Sequence, residues 1–191
     1  LFIIQGLDHF QGRKIPMAMT KSSVPTIFKN CKATSFDTPR ILIVMPVHNE
    51  AGYLHSCLES FVRQTRPPDA LRVVDDHSSD TTADIVREYA AKHPWIQLVT
   101  RRSASQRQPG AKVVAAFLAG LPDDWEHFDY IGKFDGDIIL PPDYFEKILE
   151  SCALRPTLGM CSGLLYIHKE GQWVYEPIAD QSHVRGPVKF Y

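Results

Sequence analysis

Short apolar runs separated by helix-length amphipathic stretches constrain this chain more than any other feature. Ile41-Leu42-Ile43-Val44-Met45 is a continuous, partly β-branched run, the pattern of a strand covered on both faces. Pro46 ends it. Leu54, Leu58, Phe61 and Val62 then form an i, i+4, i+7, i+8 stripe that predicts a helix over 51–65, stopped by Pro67-Pro68. The alternation continues with a strand at Leu71-Arg72-Val73-Val74 and a helix over 81–92, capped by Ser79 or Asp80. Further strands are predicted at 96–99, 130–134 and 158–167, and further helices at 110–120 and 142–153.

Strands alternating with helices imply βαβ crossovers, and so an α/β fold with a mostly parallel sheet and helices on both faces. The 191 residues suit one such domain with a substantial core. We place it at 40–191. Residues 1–39 keep neither period for long and are left unassigned, as an N-terminal extension or arm. The net charge of -1 argues against a nucleic-acid partner. The four cysteines (Cys31, Cys57, Cys152 and Cys161) form no C-x-x-C pair, which suggests free thiols in a reducing compartment. No run approaches the roughly 18–20 apolar residues of a membrane span, and Leu1-Phe2-Ile3-Ile4 is too short for a signal-peptide core. The expected location is cytoplasmic, with membrane association left open.

The acidic residues fall where such a sheet binds ligands, at the carboxyl ends of its strands. Asp135-Gly136-Asp137 follows the strand at 130–134 directly. Ionised carboxylates held so close repel one another unless a cation or donors compensate. Such oxygens suit Mg²⁺ or Mn²⁺ completed by water and a diphosphate. A solvated turn that caps the next helix is the simpler alternative. Asp75-Asp76-His77-Ser78 forms a second cluster; one carboxylate there can serve a base or ribose, and Asp80 suffices as a helix cap. Pro46-Val47-His48-Asn49-Glu50 is the third, where Asn49 could cap the next helix and Glu50 could be a first-turn acid.

Together these segments resemble the family-2 glycosyltransferases. The resemblance rests on P-x-x-N-E at 46–50, Gln64-Thr65, Val73-Val74-Asp75-Asp76-His77-Ser78-Ser79-Asp80-Thr81-Thr82, and Asp135-Gly136-Asp137, in order and in register over about 40–167. It implies a GT-A type, Rossmann-like fold that binds a nucleoside diphosphate sugar with Mn²⁺ or Mg²⁺. By the same resemblance Pro46, Asn49 and Glu50 line the nucleotide pocket and Asp76 contacts the base, often uracil. Asp135 meets ribose or sugar hydroxyls and shares the metal site with Asp137. Lys112 pairs with a phosphate or lies on the surface. Two departures stand out: His77, where glycine or asparagine is commoner, and Gln108-Pro109-Gly110-Ala111, which keeps only part of the pattern.

The implied reaction is inverting transfer to a hydroxyl acceptor, glycan, lipid-linked or other. It needs a carboxylate as general base. Glu176 and Asp180 are acidic and late but not convincing, so the base is expected beyond Tyr191, in a domain incomplete at its C-terminus. Trp173 and Tyr175 either stack on an acceptor sugar or anchor a loop. His48 and His77 lie at the ligand edge as neutral polar lining. A nucleotidyltransferase is the alternative enzyme, but 46–50 lacks its glycine- and basic-rich loop, and no P-loop is present. A non-catalytic nucleotide-sugar-binding module is the other alternative.

Overall fold

The computed structural model describes residues 2–5, 11–14, 38–101, 111–176, 184 and 186–191. In chain order it contains β1 (Phe2–Gln5), β2 (Gln11–Lys14), β3 (Ile41–Val47), α1 (Ala51–Val62), β4 (Ala70–Asp75), α2 (Thr82–Lys92), β5 (Ile96–Thr100) and α3 (Ala111–Gly120). After a short 3-10 turn at Trp125–His127 come β6 (Tyr130–Phe134), β7 (Ile138–Ile139), α4 (Tyr144–Leu154) and β8 (Leu158–Ser162). The last three strands are β9 (Leu164–Lys169), β10 (Gln172–Tyr175) and β11 (Val188–Phe190).

The main sheet has seven strands in the order β2-β8-β11-β6-β3-β4-β5. Its centre is parallel: β3 pairs with both β4 and β6, and β4 pairs with β5. The chain runs outward from β3 through β4 to β5 and then returns to the other side of β3 as β6. The order therefore reverses between β3 and β6, which is where an open α/β sheet forms a ligand crevice.

Strand alternation on β3 builds two cores. Ile41, Ile43, Met45 and Val47 face a layer with Leu54, Leu58 and Phe61 of α1, Val86 and Tyr89 of α2, and Phe145 and Ile148 of α4. Leu42 and Val44 face the other way, against Val74 and against Ala116 of α3. Helices thus cover both faces, as the double-sided apolar run requires.

The mostly parallel sheet is as expected, with antiparallel strands along one side: β11 runs antiparallel to β6 and β8, and β2 antiparallel to β8. One expected element differs. The predicted strand at 158–167 is two strands, β8 and β9, in different sheets. In addition, residues 2–5 and 11–14 are paired strands. β1 joins a second sheet of order β10-β9-β1-β7, and β2 edges the main sheet. Four-residue strands are too short to show a sustained period, which is why the sequence pattern passes over them.

Candidate functional site

The loops that leave β3 and β4 are locked together before any ligand is considered. The Asn49 N–H donates to Ser78 Oγ at 2.9 Å, and the Ser79 N–H donates to Asn49 Oδ1 at 2.8 Å. The Glu50 N–H donates to Thr82 Oγ1 at 2.9 Å. Asp80 accepts from the N–H groups of Thr82 (3.0 Å) and Ala51 (3.2 Å), so one carboxylate satisfies the amino ends of α2 and α1 together. The hydrogen bond to Thr82 leads in holding the Asp80 carboxyl below the ordinary aspartate value.

Asn49 and His77 both have left-handed backbone, at φ 57° and 67°. Asparagine tolerates that region better than most residues. At position 77 the turn retains the conformation that glycine or asparagine would suit, with histidine in their place.

Asp75 is buried, and its Oδ1 accepts the Ser78 N–H at 3.1 Å. Asp76 lines the cleft and accepts from Arg101 Nη1 at 3.1 Å. The two adjacent aspartates therefore divide the work: one shapes the turn and the other faces the cleft. His48 donates from Nδ1 to the Asp76 carbonyl at 2.9 Å.

At β6, strand alternation puts Lys133 on the same face as Asp135. The two side chains are ion-paired, and Lys133 Nζ also donates to the Gly186 carbonyl at 3.2 Å. Burial pushes the Asp135 carboxyl up, Lys133 pulls it back, and Asp137 adds to the upward push. Glu50 is raised as well, first by burial and then by the charges of Asp137 and Asp135. Gly136 is required by closeness: a Cβ there would meet Val47 Cγ1 at 2.7 Å. The contact with β3 therefore excludes a side chain at this position.

These groups line a cleft of about 380 Å³ at the switch point, within the usual size of ligand pockets. Its walls include Pro46, His48, Glu50, Asp76, Lys112, Asp135 and Asp137. All the residues expected to bind the nucleotide sugar and metal lie here but Asn49, whose side chain holds the β4–α2 loop. Lys112 is exposed on the first turn of α3. His77 does not line the cleft, Glu176 is buried elsewhere, and Asp180 lies outside the described residues. No described residue after Asp137 contributes to the lining.

Arg101 and Lys133 escaped the sequence reading, although signals for both exist. Lys133 precedes Asp135 by two positions on a strand, and the β4–β5 register of Asp75 with Thr100 brings Arg101 beside Asp76. Among the described residues no group of three or more His, Cys, Asp or Glu side chains could hold a metal alone. Two carboxylates at an open edge instead fit an ion that shares its coordination with phosphate oxygens and water. The thiols of Cys57, Cys152 and Cys161 are free, and Cys31 lies outside the described residues. Among the described residues no helix is long and apolar enough to cross a membrane.

A mostly parallel sheet with acidic strand ends at its switch point, covered by helices on both faces, is a GT-A-like fold. A mannosyltransferase from Pyrobaculum calidifontis, solved with GDP-Man and Mn²⁺, is similar, with a TM-score of 0.52 and 25% identity over 65% of this chain and 35% of that one. TarS from S. aureus shares the fold, with a TM-score of 0.50 and 20% identity over 61% of this chain and 33% of that one. Glycosyl transferase family 2 matches residues 42–181, and the chain belongs to that family. Among its relatives, a chondroitin synthase of Escherichia coli is 26% identical over 75% of this chain and 20% of that protein. A validoxylamine A glucosyltransferase of Streptomyces hygroscopicus subsp. limoneus is 30% identical over 84% of this chain and 36% of that protein. The chain thus spans well under half the length of these curated relatives.

Proposed function

We propose that this domain binds a nucleoside diphosphate sugar, UDP-linked, and transfers the sugar with inversion to a hydroxyl acceptor. The observation that carries the reading is the convergence of Asp76, Glu50, Asp135 and Asp137 on one cleft at the β3–β6 switch point. Family membership supports transfer chemistry over the nucleotidyltransferase alternative. The similar mannosyltransferase with GDP-Man and Mn²⁺ supports a nucleotide-sugar donor and a divalent cation.

Asp76, steadied by Arg101, offers its second carboxylate oxygen to an N–H of the base. Pro46 and His48 form the wall beside it. Asp135 would meet ribose or sugar hydroxyls, and Lys112 at the start of α3 would meet a phosphate. Asp137, with Asp135, would hold Mn²⁺ or Mg²⁺. A bound cation would supply charge neutralisation on the departing diphosphate. The raised carboxyls of Glu50 and Asp135 support this placement, because like charges gathered in a cleft favour a counter-ion. The general base is assigned to no residue of the described cleft.

Calorimetric titration of UDP and of GDP, each with Mn²⁺ and with EDTA, tests the reading. Metal-dependent binding that favours UDP is expected. Tighter binding of GDP would overturn the uracil assignment, and no binding of either would make a degenerate or incomplete domain the better reading.

A further inference from the structure

Two thiols outside the donor cleft lie in contact. Cys152 Sγ and Cys161 Sγ are 3.8 Å apart, the first on the last turn of α4 and the second on β8. A short reversal joins the two elements. The Arg155 N–H donates to the Cys152 carbonyl at 3.1 Å, and the Leu158 N–H donates to the Arg155 carbonyl at 2.9 Å. The chain thus turns back on α4 and sets position 161 against position 152. Residues 153–157 of this connection are exposed, so little packing holds it rigid.

The surroundings give the two sulfurs different roles. Cys161 is buried and fixed by strands on both sides, opposite Gly12 of β2 and Phe190 of β11. Cys152 is half-buried. A hydrogen bond from Cys161 leads in lowering the Cys152 thiol, against the effect of burial, and the Tyr130 side chain adds to the lowering. A lowered thiol supplies more thiolate, the nucleophilic form. Cys57 is the contrast. It is fully buried beneath the acidic turn, its Sγ donates to the Asp135 carbonyl at 3.9 Å, and burial pushes its thiol up. Among the described residues no third His, Cys, Asp or Glu joins Cys152 and Cys161 to hold a metal.

We propose that Cys152 and Cys161 form a reversible redox pair, which a hydroperoxide converts into a disulfide that staples α4 to β8. Closing to a bond of about 2.05 Å moves each sulfur by roughly 0.9 Å. The Cys152 thiolate attacks one peroxide oxygen, the O–O bond breaks, and hydroxide leaves a sulfenic acid behind. The Cys161 sulfur then attacks the Cys152 sulfur, the S–O bond breaks, and the departing hydroxide takes the Cys161 proton as water. Two thiols lose two electrons and two protons, and one hydrogen peroxide becomes two waters. Neither thiol lines the donor cleft, so the pair stands whatever the cleft binds.

The full chain, reduced and freed of reductant, is treated with equimolar hydrogen peroxide, alkylated with N-ethylmaleimide and digested with trypsin for mass spectrometry. Trypsin cuts after Lys147 and Lys169 but not between Arg155 and Pro156, so both thiols fall in one peptide. That peptide should weigh two hydrogens less than its reduced form and carry no alkyl group, and dithiothreitol should restore both thiols. Cys152 should react at least about tenfold faster than Cys57. The oxidised chain should melt about 5 °C above the reduced one. Cys161→Ser should stop at a Cys152 sulfenic acid that dimedone traps. The redox pair is overturned if both thiols stay alkylated, if Cys152 passes to sulfinic acid while Cys161 stays alkylated, or if the bond joins two copies of the chain. An oxidised chain that melts no higher than the reduced one overturns the staple.

Discussion

Arg101 Nη1 lies 3.1 Å from Asp76 Oδ1, so the carboxylate expected to read the base is already held by a guanidinium from the neighbouring strand. The pair is largely shielded from solvent, and Arg101 is tied to the turn by its own N–H, which donates to the Asp75 carbonyl at 3.0 Å. One oxygen of Asp76 is thus committed to orientation, and among the described residues no hydrogen bond engages the other. Arg101→Ala should weaken uridine binding by about 1–2 kcal/mol, through loss of a charge-assisted hydrogen bond. Asp76→Ala should cost at least as much, and the double variant little more than Asp76→Ala alone. Fully additive losses in a calorimetric cycle would show that the two residues act independently.

Asn49 makes a different kind of prediction. Its Oδ1 accepts the Ser79 N–H, and its backbone is left-handed. Asn49→Ala should lower stability by about 2 kcal/mol, from a lost hydrogen bond and an unfavourable φ. Urea denaturation checks this. An unchanged midpoint together with a large loss of UDP affinity would show that Asn49 serves the ligand and not the fold.

Gly136 tests the packing of the acidic turn. Gly136→Ala would push Asp135 and Asp137 away from β3 or displace Val47, at a cost of about 1–3 kcal/mol. Thermal unfolding should register the loss, and UDP binding should fall with it. A variant as stable as the unaltered chain would show that the turn has room.

The charge balance of the cleft sets a pH dependence. Burial and the neighbouring aspartates raise the Glu50 carboxyl above its ordinary value. A carboxyl raised on folding favours the protonated state, so its contribution becomes more stabilising as pH falls through the raised value. It is unfavourable at neutral pH. Glu50→Gln should therefore raise the melting temperature at pH 7 without divalent cations, by roughly 1–2 °C once solvent screening is allowed for. The gain should shrink toward pH 4 and in excess Mn²⁺. A lower melting temperature at pH 7 in EDTA would contradict the charge-crowding account.

Much of this architecture was legible because each part announces itself locally. The β3 run carries no polar residue from Ile41 to Met45, which requires cover on both faces, and the acidic turns sit directly at strand ends. Less was legible where the cause is distant in sequence. β11 has three residues, and its antiparallel pairing with β6 is set by partners far upstream. Asn49 reads as a helix cap or a pocket residue until its φ and its bond to Ser79 are known. Lys133 and Arg101 look like ordinary strand-end cations until register places them beside Asp135 and Asp76.

The account turns on Asp137. Electron paramagnetic resonance of Mn²⁺, with UDP added to the full chain and to Asp137→Ala, measures its role directly. Free Mn²⁺ signal should fall on adding the unaltered chain with UDP, and stay high with Asp137→Ala, whose circular dichroism should match that of the unaltered chain. Equal Mn²⁺ uptake by both proteins would contradict the assignment of the Asp135-Gly136-Asp137 turn as the metal-binding edge of the donor site.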